Sequence, residues 1–184
     1  MLPNAEGDHT LLNSYFVRRL NFTMQETAAL MGAHTLGRME GRFSGFSGGW
    51  TPRHHALTNS YYSAAVGVVW DKRLRNGKIV WEAPRLACDD PQLETSCGQT
   101  VVMLNVDMAL FTDVSLGTCT KFPAPPNNVG SCVDSPFRTY SKAYTSSTSQ
   151  GKWIKDFALA IAKMTKIGYA ANALYSVDFV RSSI

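Results

Sequence analysis

The sequence has no Cys-x-x-Cys pair and no histidine beside any of its four cysteines, which argues against a zinc ribbon or finger. No apolar run reaches the length of a membrane span. The opening residues hold no charged stretch followed by an apolar core, so no secretory leader is expected. Internal repeats are missing, and the only biased tract is the short Ser/Thr run at 145–149. Charge is scarce: 17% of the 184 residues are Asp, Glu, Lys or Arg, with a formal net charge of +4. The densest basic group, Lys72, Arg73, Arg75 and Lys78, surrounds Asn76-Gly77 without interleaved aromatics. It reads as a solvated hairpin tip and not as a nucleic-acid site.

What is present is hydrophobic content of 45%, enough to bury a core in one compact domain over 1–184. Leu11 to Leu20 reads as a short helix with Leu12, Tyr15, Phe16 and Leu20 on one side. Thr23 and Glu26 form a capping-box pattern, and Thr27 to Leu36 continues as a helix of small and apolar residues. Asn21-Phe22-Thr23 is also a glycosylation sequon, although Thr23 serves equally as the cap alone. On the second helix His34 shares a face with Leu30, Met31 and Gly37, and the nearby Gly32 and Ala33 keep the surface low enough for a flat group to approach. A lone histidine on such a face is more often a hydrogen-bonded core residue than a ligand.

Gly45-Phe46-Ser47-Gly48-Gly49 fits the G-x-S-x-G pattern of serine hydrolases, but a nucleophile elbow needs an apolar strand before it and a helix after it. Here a helix and Arg42 precede it, and Trp50-Thr51-Pro52 follows, so the glycines instead suit a tight turn that returns Trp50 beneath His34. Thr58 to Trp70 is predicted helical and Lys72 to Trp81 a hairpin. Cys88 and Cys97 bracket one irregular loop, Cys119 and Cys132 another; two local disulfides or four free thiols both fit. Disulfides would place the chain in an oxidising compartment, outside the cell, with an organelle as the alternative. Gly151 to Gly168 is the clearest helix, with Trp153, Phe157, Ile161 and Met164 as a core stripe and Gly168 as its C-terminal cap.

Several ordered segments carry a resemblance. Ala28-Ala29-Leu30-Met31-Gly32-Ala33-His34-Thr35-Leu36-Gly37-Arg38 is similar to the proximal-histidine signature of the non-animal haem peroxidases. Gly45 to Thr51, Leu57 to Tyr62 and Met103 to Asp113 continue the likeness in order. Trp50 at the proximal tryptophan position places the likeness nearest the cytochrome c peroxidase and ascorbate peroxidase branch. The resemblance implies a mainly α fold, the proximal half of a helical haem peroxidase, with a small β hairpin and disulfide-closed loops. It implies haem b as cofactor and His34 as the axial iron ligand, lined by Leu30 and Gly37, with Arg38 reaching a propionate. Asp107 would brace His34 from behind, lowering the iron's reduction potential, and Trp50 would relay electrons from the surface.

Departures from the pattern bear on substrate and completeness. Thr35 and Thr51 match the threonines of the branch's cation site, but Arg53 and Thr58 replace its amide and carboxylate, so no potassium is expected. Phe43 stands where ascorbate-oxidising relatives have an arginine, and Glu40 replaces a common histidine. His9, His54 and His55 match no distal motif, and cleaving bound peroxide needs a distal base and a cation. Two classes of function follow. One is a peroxidase that reduces hydrogen peroxide at the expense of an unnamed donor, its distal half supplied by a partner polypeptide or an upstream segment. The other is an inactive peroxidase-like structural or interaction subunit.

Overall fold

A computed structural model describes residues 4–83, 101–123, 131–170 and 173–174. The first helix, α1 (His9–Leu12), is capped by Asp8, whose carboxylate accepts the amides of Thr10 and Leu11. It widens into a π-type turn over Asn13–Arg19. Helix α2 (Met24–Met31) starts at a complete capping box: the Thr23 hydroxyl accepts the Glu26 amide at 3.0 Å, and the Glu26 carboxylate accepts the Thr23 amide at 2.7 Å. Strand β1 (Arg38–Met39), helix α3 (Gly41–Ser44) and strand β2 (Gly48–Gly49) follow, then helix α4 (Ser60–Gly67). Strands β3 (Trp70–Arg75), β4 (Lys78–Ala83) and β5 (Val101–Leu104) lead into helix α5 (Asn105–Met108). Strand β6 (Lys121–Phe122), helix α6 (Arg138–Lys142) and helix α7 (Gln150–Met164) complete the described order.

The described residues hold seven helices, with 43% helical content, beside a β component that exceeds the expected hairpin. Asn76 and Gly77 both take positive φ (50° and 75°), the requirement of a tight two-residue hairpin turn, and β3 and β4 pair as predicted. Among the described residues the pair belongs to a six-stranded mixed sheet in the order β1-β2-β5-β4-β3-β6, in which β2 and β5 run parallel and the other neighbours antiparallel. Three of its strands are two residues long, too short to leave an alternating pattern in sequence.

The helix expected over Thr27–Leu36 does not run straight. It tightens at Gly32 into a 3-10 turn over Gly32–Thr35. The carbonyls of Ala28 and Ala29, near the point where the α pattern is given up, gain side-chain donors: Tyr62 from α4 reaches both, and the Trp153 indole from α7 reaches Ala29 at 3.1 Å. A methyl group at Gly32 would collide with the Tyr62 hydroxyl and the Trp153 nitrogen, so this glycine admits core side chains to the backbone and does not simply clear a surface.

Helix α7 also departs from expectation. Trp153 and Ala160 are fully buried and Phe157 packs against the core, but Ile161 and Met164 are 38% and 40% exposed. The apolar stripe is therefore core only over its first half. The helix also ends before the expected Gly168: it stops at Met164 with Thr165 as its C-cap, and Gly168, with φ of 92°, lies in the turn beyond. The helix predicted from Thr58 is shorter than expected, because Trp70 opens β3 and donates its indole N–H back to Ala64 and Ala65. Cys119 and Cys132 form a disulfide; Cys88 and Cys97 lie outside the described residues. Among the described residues no helix is long and apolar enough to cross a membrane.

Candidate functional site

The site begins with a strand that ends on a polar turn. Buried β5 lies between β2 and β4 and stops at Leu104, where the chain turns into α5. Asn105 locks that turn: its amide donates to the carbonyls of Glu6 and Gly7, and its oxygen accepts the Trp81 indole N–H. Asp107 is the third residue of α5, and its Oδ2 reaches back to the Leu104 amide at 2.7 Å, which fixes the carboxylate's rotation.

Three further donors from three other segments converge on this carboxylate. His34, on the 3-10 turn, places Nδ1 2.7 Å from Oδ1; Trp50, delivered by the glycine-rich turn after α3, donates its indole N–H to Oδ2 at 2.8 Å. Tyr61 of α4 donates its hydroxyl to Oδ1 at 2.8 Å. With the Leu104 amide, four donors fill about four acceptor directions. That accounts for a carboxylate of 0% exposure with no lysine or arginine bonded to it among the described residues. The rings of His34 and Trp50 stack at 4.2 Å between centroids and 16° between planes, while Tyr61 stands edge-on to His34 at 6.1 Å. Burial first, and then the charge of Asp107, hold the Tyr61 phenol well above its ordinary pKa, so it remains a donor.

With Nδ1 engaged, the other imidazole nitrogen, Nε2, accepts or donates no hydrogen bond among the described residues, and the side chain keeps 31% of its surface exposed. Among those residues no group of three His, Cys, Asp or Glu side chains could hold a metal ion. A metal at His34 must therefore bring its own remaining donors, which is what a porphyrin does. These residues fit a haem on that count.

The other sequence-predicted positions lie around this cluster without joining it. Gly37 has φ of 77°, donates its amide to the His54 carbonyl at 2.6 Å, and would have open space around a side chain, so its backbone and not its bulk calls for glycine. Leu30 is buried on α2. Arg38 is exposed and lies 3.8 Å from Glu40. Thr35, Thr58 and Ser60 hydrogen-bond through their hydroxyls at 2.7–3.5 Å, and Thr51 donates to the Thr35 carbonyl. His9 stands 3.4 Å from Asp113, and His54 and His55 are neighbours beyond the Gly37 turn. Tyr61 escaped the sequence reading. A tyrosine on a short helix carries no signal that separates a core ring from a donor to a distant carboxylate.

No family model matches the chain. Curated relatives do. A protein of Yarrowia lipolytica named "Putative heme-binding peroxidase" is 31% identical over 167 residues, covering 91% of this chain and 44% of the relative. The mitochondrial cytochrome c peroxidase of the same organism is 30% identical over the same length and 38% covered. That of Candida albicans is 31% identical and 36% covered. The chain thus spans less than half the length of these relatives. The mitochondrial location in two of these names overturns the expectation of a secreted, oxidising compartment. The one short-range disulfide among the described residues is not enough to set against it. In sequence, the chain is a homologue of the haem peroxidases, of the kind that the cytochrome c peroxidases typify.

Proposed function

We propose that this chain supplies the proximal side of a haem b peroxidase site, as one domain, with His34 as the axial ligand of the iron. The observation that carries the reading is the convergence of His34, Trp50 and Tyr61 on the buried carboxylate of Asp107, with His34 Nε2 left open. When bound, the haem supplies the redox centre at which hydrogen peroxide is reduced and a donor oxidised. The chain's residues prepare that centre. Asp107 holds the Nδ1 proton of His34, which fixes the tautomer with Nε2 as the ligating nitrogen and raises the imidazole's basicity. The imidazole cannot rotate, because Trp50 stacks on one face and Tyr61 meets its edge. Trp50, in contact with both ring and carboxylate, would pass electrons inward from a donor, a role its contacts support. Leu30 and Gly37 would line a haem's approach to His34, and Arg38, exposed and 3.8 Å from Glu40, would pair with a propionate.

The distal base and cation that cleave the peroxide bond come, on this reading, from a segment or polypeptide beyond the described residues. An organelle is the compartment that agrees with the mitochondrial relatives. A second reading, a peroxidase-like subunit kept for its fold, draws support from the exposed Leu159, Ile161, Met164 and Ile167, apolar side chains that a partner would cover. An absorption spectrum separates the two. The whole protein, reconstituted with haem, is expected to show a Soret band that shifts on adding peroxide, and His34→Ala is expected to lose the haem. A His34→Ala protein with full haem content removes the axial-ligand assignment. A wild-type protein that takes up no haem leaves the subunit reading.

A further inference from the structure

The four donors on Asp107 are not interchangeable. Trp50 Nε1 and the Leu104 amide share Oδ2, whereas His34 Nδ1 and the Tyr61 hydroxyl share Oδ1. Two donors on one oxygen draw on the same electron density, so each holds the other's bond below the strength it would have alone. Tyr61 is fixed in that contest. Its ring is fully buried, packed edge-on against Tyr62 at 5.0 Å, and among the described residues its hydroxyl bonds to Asp107 alone. The adjacent Tyr62 shows the contrast, since its hydroxyl is spent on the carbonyls of Ala28 and Ala29 and never reaches the cluster.

We propose that Tyr61 is a positioning residue that sets how far Asp107 polarises His34: by filling the second acceptor direction of Oδ1, it limits the negative charge handed to the imidazole. Its consequence at the iron rests on the haem reading above, but the competition itself is a property of the protein side chains and is readable without haem. Removing the hydroxyl frees one acceptor direction on Oδ1 and leaves it to His34, whose Nδ1–H bond shortens and strengthens. Trp50 serves the other oxygen, so deleting its donor acts on the His34 bond only at second hand.

The test compares Tyr61→Phe with Trp50→Phe in protein labelled with nitrogen-15 at histidine. In the haem-free protein, Tyr61→Phe is expected to move the His34 Nδ1 proton resonance downfield, and Trp50→Phe to move it less. In the haem-loaded protein, the ferric-to-ferrous ratio at a fixed ambient potential is expected to rise about fivefold in Tyr61→Phe, as expected for a bond to a charged acceptor strengthened in part. The iron–imidazole stretching frequency is expected to rise with it. A role in packing alone moves neither signature. A Tyr61→Phe protein whose His34 proton stays in place, or one matched by Trp50→Phe, overturns the proposal. Should Tyr61→Phe fail to fold, 3-fluorotyrosine placed at position 61, a stronger donor of nearly the same shape, must shift the proton upfield; no shift, or a downfield one, overturns it equally. If the His34 proton moves as expected in a protein that takes up no haem, the haem reading falls and the assignment of Tyr61 stands.

Discussion

Asp107 and Glu82 are both carboxylates that accept at least two hydrogen bonds, yet they sit in opposite surroundings. Glu82, on β4, takes a two-pronged contact from Arg75 across the hairpin at 2.8 and 2.7 Å, with its side chain 21% exposed. Asp107 takes four bonds from four segments of the chain and has no access to water. A donor lost at the hairpin is replaced by solvent. At Asp107 nothing replaces it, so the energy of the cluster is held in the cost of leaving groups unpaired and not in the number of bonds. The same isolation makes the cluster useful, because a bond that water cannot exchange keeps a fixed strength.

Removing the buried carboxylate tests that contrast most severely. Asp107→Ala strands the His34, Trp50, Tyr61 and Leu104 donors together. At about 1–3 kcal/mol for each buried group left unsatisfied, partly recovered by relaxation, the expected loss is on the order of 4 kcal/mol. Urea denaturation of the two proteins measures it. A loss below about 1 kcal/mol would mean that water already reaches these donors, and the distinction between the two carboxylates would fail.

How much of this was legible beforehand depended on whether the cause was local. The Thr23–Glu26 box and the Asn76-Gly77 turn depend on residues at most three positions apart, and the sequence pattern placed both correctly. His34 and Asp107 lie 73 positions apart, Trp50 and Asp107 57 apart; no periodicity connects such pairs, and only resemblance to known proteins put them together. Tyr61 was invisible for that reason, its contact spanning 46 positions from inside an unexceptional helix. The early end of α2 was equally hidden. It depends on Tyr62 and Trp153 approaching the backbone at Gly32, and Trp153 bonds to Ala29 from 124 positions away. The exposed half of α7 shows the converse error, an apolar period whose partner lies elsewhere.

Glu26 stands between the two extremes and sharpens the comparison through pH. Partial burial acts to raise its pKa, but the Lys163 ammonium from α7, with the Thr23 backbone and side chain, brings it below the ordinary glutamate range. A carboxyl lowered on folding contributes stability that is present above its unfolded pKa of about 4.3 and is lost as pH falls through the folded value. Wild type is therefore expected to exceed Glu26→Gln by roughly 1 kcal/mol at pH 7 and to converge on it near pH 3. Thermal melts of both proteins from pH 7 to 3 check this. Parallel curves across the whole range would show that the α2–α7 tie carries no charge-dependent stability.

The smallest effect belongs to Glu82. Its carboxyl is lowered first by the hydrogen bond from Arg75 and then, against a modest burial penalty, by the charges of Arg75 and Arg73, so the pair is formed at neutral pH. The geometry is as good as that of the buried cluster, and geometry alone would rank the two alike. Exposure separates them: water and salt stand ready to solvate either partner, and ordering two long side chains offsets much of the attraction. Glu82→Gln is expected to leave the denaturation midpoint unchanged within error at moderate ionic strength. A clear destabilisation that persists in high salt would show the hairpin face to be shielded from solvent, and the division between a carboxylate that water can serve and one that it cannot would have to be redrawn around the whole sheet.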